Sequence, residues 1–478
     1  MTGLFAALFA SAVLQAPAPA AELAPCTVEG VPRPALCGTL LVPEDHARPQ
    51  GPQIGLNLIV LPAGGDADRV AGTALTLLTG GPGSASTQAI AGFVEALGET
   101  AARFDMVFAD QRGTGRSAPL RCRRDGPPAD GPVTLAEIVP ACPDGVEGPH
   151  DPVHFTTTAA AHDLDRVRAA LGHDSLTIVA RSYGTRLAQD YARRYPDRTR
   201  ALLLKGVVPP QGHLTDDLAG EAERMLRAVF AACAAQPACA ARYPELDALW
   251  SRALDTIGEA VTGTAALSEG GPQREVRASR GLALSALRAR LYSVDAAAGL
   301  PRRIEALARG ETGGFLQEVI AYRSGLDALL ADGMYLATTC PEDIAFVDPA
   351  RARAAAAGSF LGSYRVDVQQ AACEGWPTVR LEPDFKLPLT AAVPILALNG
   401  ALDPATPPEW AEAAVSQAPD ARLVLVANRS HALVDDAAGC LRTIERDFLL
   451  NADPHAIDAA CAAQLEFPAF ETAPQGAP

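Results

Sequence analysis

Residues 176–184 read Leu-Thr-Ile-Val-Ala-Arg-Ser-Tyr-Gly. An apolar, β-branched run ends at Ala180, and a helical pattern opens at Thr185 with Thr-Arg-Leu-Ala-Gln-Asp-Tyr-Ala. Ser182 stands between them, with Ala180 and Gly184 two positions away on either side. A strand that turns at once into a helix crowds its own backbone, so the flanking positions have to be small. The serine hydroxyl is then presented at the strand's carboxyl end, the arrangement of a nucleophile elbow. Ala180 stands where that motif has its first glycine, a departure of one methyl. The pentapeptide alone is a weak signal in an alanine- and glycine-rich chain. The strand before it and the helix after it carry the reading.

The same alternation extends outward. Strand-like runs occupy Leu56–Leu61, Thr73–Leu78, Phe104–Ala109 and Ala201–Val208, with helical patterns at Ala159–Leu171 and after Ser182 up to Tyr195. Such alternation implies right-handed crossovers and a mostly parallel sheet covered on both faces. From about Gln211 to Trp376 the chain is alanine-rich and helical in period, broken at Pro237, Gly263–Gly271 and Gly310–Gly314, with no clear buried strand. This segment is expected to be a helical cap inserted between two strands. The sheet resumes with Val393–Leu398 and Arg422–Val426.

Both resumed strands lead into chemically useful residues. The first is followed by Asn399-Gly-Ala-Leu-Asp403-Pro404, the second by Ala427-Asn-Arg-Ser-His431. In an open parallel sheet, ligands bind beyond the carboxyl ends of the strands. Ser182, Asp403 and His431 occur in the order nucleophile, acid, histidine and are read as a catalytic triad. A serine hydroxyl needs an adjacent base. His431 would take the proton, and Asp403 would fix the imidazole's tautomer. Singly, Asp403 could cap a turn and His431 could lie on the surface; strand-end placement and chain order argue against both together. The turn Thr79-Gly80-Gly81-Pro82-Gly83-Ser84 follows another strand, so the backbone N–H groups of Gly81 and Tyr183 are expected to form an oxyanion hole.

Other features are less specific. Asp110-Gln-Arg112-Gly113-Thr-Gly115 has glycines spaced as in a phosphate loop, yet no Gly-Lys-Ser/Thr follows; it reads as a turn bracing the site. Residues 121–155, rich in proline and glycine, read as a stapled surface loop. His150, His154 and His162 lack a completing ligand pattern and read as solvated, so no metal or other cofactor is expected. A net charge of −16 over 478 residues argues against nucleic acid and anionic membrane as partners. The arginine-rich, lysine-poor composition is a coding bias.

Residues 4–15 are apolar but too short to span a bilayer, and Ala18-Pro19-Ala20 follows as a small-x-small cleavage pattern. Residues 1–21 are therefore read as a signal peptide, although no lysine or arginine precedes the apolar run. No membrane anchor is expected. The ten cysteines fall into neighbouring pairs, 26/37, 122/142, 233/239, 340/373 and 440/461. Sequential pairing is the simplest of many connectivities, and an oxidising compartment outside the cytoplasm follows from it.

With these residues in hand, the chain resembles the secreted tripeptidyl and prolyl aminopeptidase family of α/β-hydrolases. The matching stretches are Gly80-Gly81-Pro82-Gly83, Asp110-Gln-Arg112-Gly113-x-Gly115-x-Ser117, Ser182-Tyr183-Gly184, Asn399-Gly-x-x-Asp403-Pro-x-Thr406-Pro407, and His431 before Cys440. Departures are Thr79, where relatives often carry His, together with Ala180 and Ser430, where Gly is common. The resemblance implies an α/β-hydrolase fold, a mostly parallel sheet flanked by helices. Its core would comprise residues 22–210 and 381–478, with the cap at 211–380. It also implies serine-dependent peptide hydrolysis from a free N-terminus. Cys340-Pro341-Glu342-Asp343 falls where relatives carry an acidic residue near the site, so Glu342 and Asp343 are expected to hold the substrate's ammonium group. The substrate class is then a peptide, and the alternative is a small carboxylic ester turned over by the same triad. A catalytically dead binding protein would not need the intact set of three. Epoxide and haloalkane chemistry would require Asp at position 182. One or three released residues, residue preference and oligomeric state are left open.

Overall fold

A computed structural model describes residues 21–64, 69–123, 131–139, 141–142, 144–213, 218–435 and 437–472. The leader expected at the N-terminus lies, apart from Ala21, outside the described residues. Among the described residues there are twelve strands: β1 (Glu22–Val28), β2 (Val31–Pro43), β3 (Gln53–Leu61), β4 (Thr73–Leu78), β5 (Asp105–Ala109), β6 (Val133–Thr134), β7 (Ser175–Arg181), β8 (Thr199–Lys205), β9 (Ala260–Ala266), β10 (Gln273–Ser279), β11 (Ile395–Gly400) and β12 (Ala421–Val426). Nine of them form one sheet in the order β1-β2-β3-β5-β4-β7-β8-β11-β12. Antiparallel pairing joins β1, β2, β3 and β5, and every pair from β5 through β12 is parallel.

The central strands were readable because both of their faces are covered. All six residues of β4 and of β11 are buried, as are Leu176–Ala180 of β7. Strands covered on both faces in a parallel sheet appear in sequence as unbroken apolar runs. The helices Thr157–Ala170 and Tyr183–Arg194 cover one face, with Leu164, Val167, Leu187 and Tyr191 in its core. The helices Ile90–Leu97 and Cys440–Asn451 cover the other, with Phe93, Ile444 and Phe448.

Two N-terminal strands escaped the sequence reading. Prolines at 25, 32 and 34 interrupt their pattern. A proline removes a ladder donor and is tolerated where one side of a strand is unpaired. β1 is the sheet's edge, and the stretch of β2 holding Pro32 and Pro34 pairs with β1 alone, since β3 pairs from Leu36 onward.

Between β8 and β11 the chain leaves the sheet and builds a helical insertion running from helix Leu218–Ala235 to helix Tyr364–Cys373. It packs around its own cluster, which includes Met225, Trp250, Leu287, Phe315 and Val319. The expectation that this segment lacks a buried strand is corrected. β9 and β10 form an antiparallel hairpin, and β6 adds to it in parallel through Val133. Val261, Ala265, Val276 and Ala278 face the insertion's core. The glycines read as a break lie in β9 and in the hairpin turn, and alternation carried by alanine is faint against an alanine-rich background. The loop after β5 thus contributes a strand to the insertion.

The disulfides are Cys26–Cys37, Cys122–Cys142, Cys233–Cys239, Cys340–Cys373 and Cys440–Cys461, the sequential pairing expected. No helix among the described residues is long and apolar enough to cross a membrane.

Candidate active site

Ser182 follows the last residue of β7 and precedes the first residue of helix Tyr183–Arg194. Its backbone stands at φ 54°, ψ −128°, a region that costs a non-glycine residue about 1–3 kcal/mol. The turn is held by Ser182 N–H donating to Lys205 O on β8 at 2.9 Å and by Thr185 N–H donating to Ser182 O at 2.9 Å. Of the two small flanking positions, only one is sterically absolute. A Cβ on Gly184 would stand 2.4 Å from Leu78 O and 2.7 Å from Thr79 O. Ala180 is accommodated inside the sheet's core, which accounts for the tolerated methyl.

Asp403 follows β11 and is fully buried. Its Oδ1 accepts the backbone N–H groups of Ala405 and Thr406 at 2.8 and 2.9 Å, and its Oδ2 accepts the Thr406 hydroxyl at 2.7 Å. His431 Nδ1 lies 2.8 Å from the same Oδ2. Burial opposes the charged form, but the facing His431 and the bonds from Thr406 hold this carboxyl below its ordinary pKa. A carboxylate only accepts, so Nδ1 carries the ring proton and Nε2 is left as an acceptor. The two loops are brought into contact at Gly400, where a Cβ would lie 2.4 Å from Arg429 O and 2.5 Å from Ser430 O.

Ser182, His431, Gly80 and Gly81 line one cavity of about 430 Å³ between the sheet and the insertion. Tyr183 opens its helix, so its N–H has no intrahelical acceptor. Its ring points away, its hydroxyl 2.7 Å from Thr157 Oγ1 and accepting from Gln111 Nε2 at 3.1 Å. Thr79, the departure from His, donates to Ser84 O at 2.9 Å and closes the glycine turn. Ser182, His431 and the Gly80-Gly81 turn together present a hydroxyl, an imidazole and a glycine-turn backbone to one cavity, while Tyr183 does not line it. That set is equipped for nucleophilic attack on a carbonyl carbon.

Glu342 and Asp343 are elsewhere, and their expected role as an ammonium anchor in the cavity is corrected. Neither lines it, and both are fully buried. Glu342 accepts Thr157 N–H at 2.7 Å and the Thr157 hydroxyl at 2.6 Å, and Asp343 accepts from Arg186 Nη2 at 2.8 Å. The helix Asp332–Glu342 buries its last turn against Thr157 and Arg186, on the two helices behind the elbow. Burial pushes the Glu342 carboxyl up to about 7, and the neighbouring Asp343 adds to the shift. These acids tie the insertion to the core.

One residue at the site, Tyr292, carried no sequence signal. Tyr292 packs its ring 5.1 Å from that of His431, and Ala432 N–H donates to Tyr292 O at 2.7 Å. Ser430, where Gly is common, donates to Leu291 O at 2.5 Å. The histidine loop is thereby bound to the insertion. The Asp110–Gly115 turn, expected to brace the site, reaches the elbow helix through Gln111, whose Nε2 donates to the Tyr183 hydroxyl at 3.1 Å. Arg112 is buried, pairs with Asp163 at 2.7 Å and donates to the carbonyls of Glu44 and His154. Of the histidines read as solvated, His150 contacts Glu44 and His162 contacts Tyr195.

A family model described as alpha/beta hydrolase fold matches residues 73–252, and one described as TAP-like protein matches residues 358–461. The chain has the α/β-hydrolase fold. Among its curated relatives, Serine protease Hip1 of Mycobacterium tuberculosis is 37% identical over 201 residues, covering 38% of this chain and 37% of the relative. Tripeptidyl aminopeptidase of Streptomyces lividans is 33% identical over 216 residues, covering 40% of each. The matches thus span well under half of those relatives. Among solved structures, a proline iminopeptidase from Mycobacterium smegmatis is similar with a TM-score of 0.44 at 17% identity, covering 87% of this chain and 99% of that one.

Proposed function

We propose that this chain is an exported serine peptidase of the α/β-hydrolase type, cleaving peptide bonds near a free N-terminus through an acyl-enzyme. Ser182 is the nucleophile, His431 Nε2 its base and Asp403 the group that orients the imidazole. The N–H groups of Tyr183 and Gly81 stabilise the developing oxyanion, each donor being worth about 10²–10³ in rate. The observation that carries the reading is the buried Asp403 carboxylate 2.8 Å from His431, which lines the same pocket as a serine on a strained elbow. Peptidase relatives support the peptide as substrate. The five disulfides and the short apolar leader support export.

A second reading, a carboxylic-ester hydrolase, uses the same three residues and gains from the absence of Glu342 and Asp343 from the cavity wall. A relative named Carboxylesterase B, 28% identical over 43% of this chain, is in keeping with it. Turnover of free-amine against N-acetylated mono-, di- and tripeptide amides, beside a small neutral ester, separates the two. Cleavage of free-amine peptides well above the blocked ones supports the exopeptidase. Ester turnover without cleavage of either peptide series supports the esterase.

A further inference from the structure

The insertion lines the cavity with three arginines, Arg288, Arg323 and Arg365, taken from three different helices. Arg288 is 4% exposed, and both its Nε and its Nη2 lack a hydrogen-bond partner. Its guanidinium lies 4.8 Å from the centroid of the Tyr292 ring, the ring that packs on His431. A buried donor without an acceptor is costly, and two on one guanidinium more so. Nε–H and one Nη2–H leave the same edge of the guanidinium in parallel, the fork that fits two carboxylate oxygens.

The neighbouring charges leave this fork open. Arg323 has one unpartnered buried nitrogen, Nε, and spends Nη1 on Asp327 at 2.8 Å. Arg365 donates to Gln369 Oε1 and to the Tyr335 hydroxyl. Of the acids on the wall, Asp327 pairs with Arg323, and Asp332 Oδ1 accepts the backbone N–H groups of Cys122 and Gly333, both at 2.8 Å. The described wall therefore holds three arginines against two aspartates, within a chain whose net charge is −16.

We infer that the insertion carries a carboxylate-binding subsite anchored by Arg288, and that the preferred substrates place a carboxylate there. The inference rests on the reading of this cavity as the substrate pocket of a hydrolase. The carboxylate can come from an acidic side chain or from a peptide's C-terminus, and the test separates these sources. kcat/KM is measured for matched peptides differing only as Glu against Gln, and for matched peptides ending in a free carboxylate against an amide. The wild-type chain should favour the carboxylate member of one pair by about 10–100-fold, the range of charge-assisted fork bonding; the pair that discriminates names the source. Arg288→Met should bring that ratio to within about threefold, and Arg288→Lys should keep part of it, because an ammonium is a point charge without the fork. Each ratio is internal to one variant, so a partial folding defect cancels.

Binding of glutarate to the full-length Ser182→Ala chain, with glutaramide as control, reads the subsite without turnover. Glutarate should bind at least about tenfold more tightly. Equal binding of the two, ratios near one in the wild type, or a ratio that survives Arg288→Met would overturn the inference. Ester turnover with no preference for carboxylates leaves the hydrolase reading standing and removes the subsite. Glutarate binding in a chain that hydrolyses neither peptide nor ester does the reverse.

Discussion

At the scale of single residues, Ser182 and Glu342 make opposite predictions. Ser182→Ala removes the proposed nucleophile while relaxing nothing that the fold depends on, and should lower hydrolysis by about 10⁴-fold or more with melting unchanged. A serine-directed phosphonate should label the wild type and not the variant. Retention of a tenth of the activity would exclude Ser182. Glu342 acts on stability instead. Its carboxyl titrates at about 7 in the fold against an ordinary 4.5, so the native state holds this proton more tightly than the unfolded chain does. Between those values the native state carries more protons, and stability falls as pH rises across that window. From pH 5 to pH 7.5 the wild type should lose roughly 1–3 kcal/mol more than Glu342→Gln, measured by denaturant unfolding. A parallel decline in both proteins would show that the proton is bound elsewhere. Because Glu342 does not line the cavity, any loss of activity in the variant should be equal on free-amine peptides and a neutral ester.

At the scale of elements, the strand–turn–helix at Ser182 depends on one glycine and not on both small positions. Gly184→Ala drives a methyl into the backbone of Leu78 and Thr79, which leads straight into the Gly80-Gly81 turn. It should cost about 1–3 kcal/mol and lower kcat more than it raises KM, since the displaced segment carries the proposed oxyanion donor Gly81. Ala180→Gly removes one methyl and should leave kcat within about threefold. Full activity in Gly184→Ala would mean that the helix can shift away from β4. The helices Asp332–Glu342 and Tyr364–Cys373 are linked by Cys340–Cys373, which has the largest sequence separation of the five disulfides, 33 residues. In the chain-entropy picture its loss costs about 3–4 kcal/mol, against less for Cys233–Cys239, with a separation of 6. Paired Cys→Ser variants compared by thermal melting give that order; the reverse order would place the stabilisation in the native state.

At the scale of the whole molecule, the site is assembled across a boundary between two cores. The sheet supplies Ser182, Asp403 and His431 from three strand ends, while the insertion supplies Tyr292 and the cavity's arginines. The insertion is tied down by Glu342 and Asp343 on one side and by Ser430 and Ala432 on the other. Peptide mapping of exported protein without reduction should recover the five sequential disulfides and a mature end near Ala21. Free thiols throughout would contradict both the pairing and the export reading.

What the sequence determined by itself is whatever depends on local order. Apolar runs covered on both faces announced β4, β7, β8 and β11, and small residues around Ser182 announced the elbow. The residues just beyond β11 and β12 announced Asp403 and His431, because a parallel sheet collects its carboxyl ends on one side. The tertiary structure alone decided where Glu342 and Asp343 point. Position near a site along the chain says nothing of which face of a helix is buried, and Thr157 and Arg186, more than 150 residues earlier, supply the partners. It also decided what Arg288, Arg323 and Arg365 do. Each sits in the alanine-rich segment of helical period without a motif of its own, and only packing three helices around one cavity brings them to a common wall, with buried nitrogens of Arg288 and Arg323 left without partners.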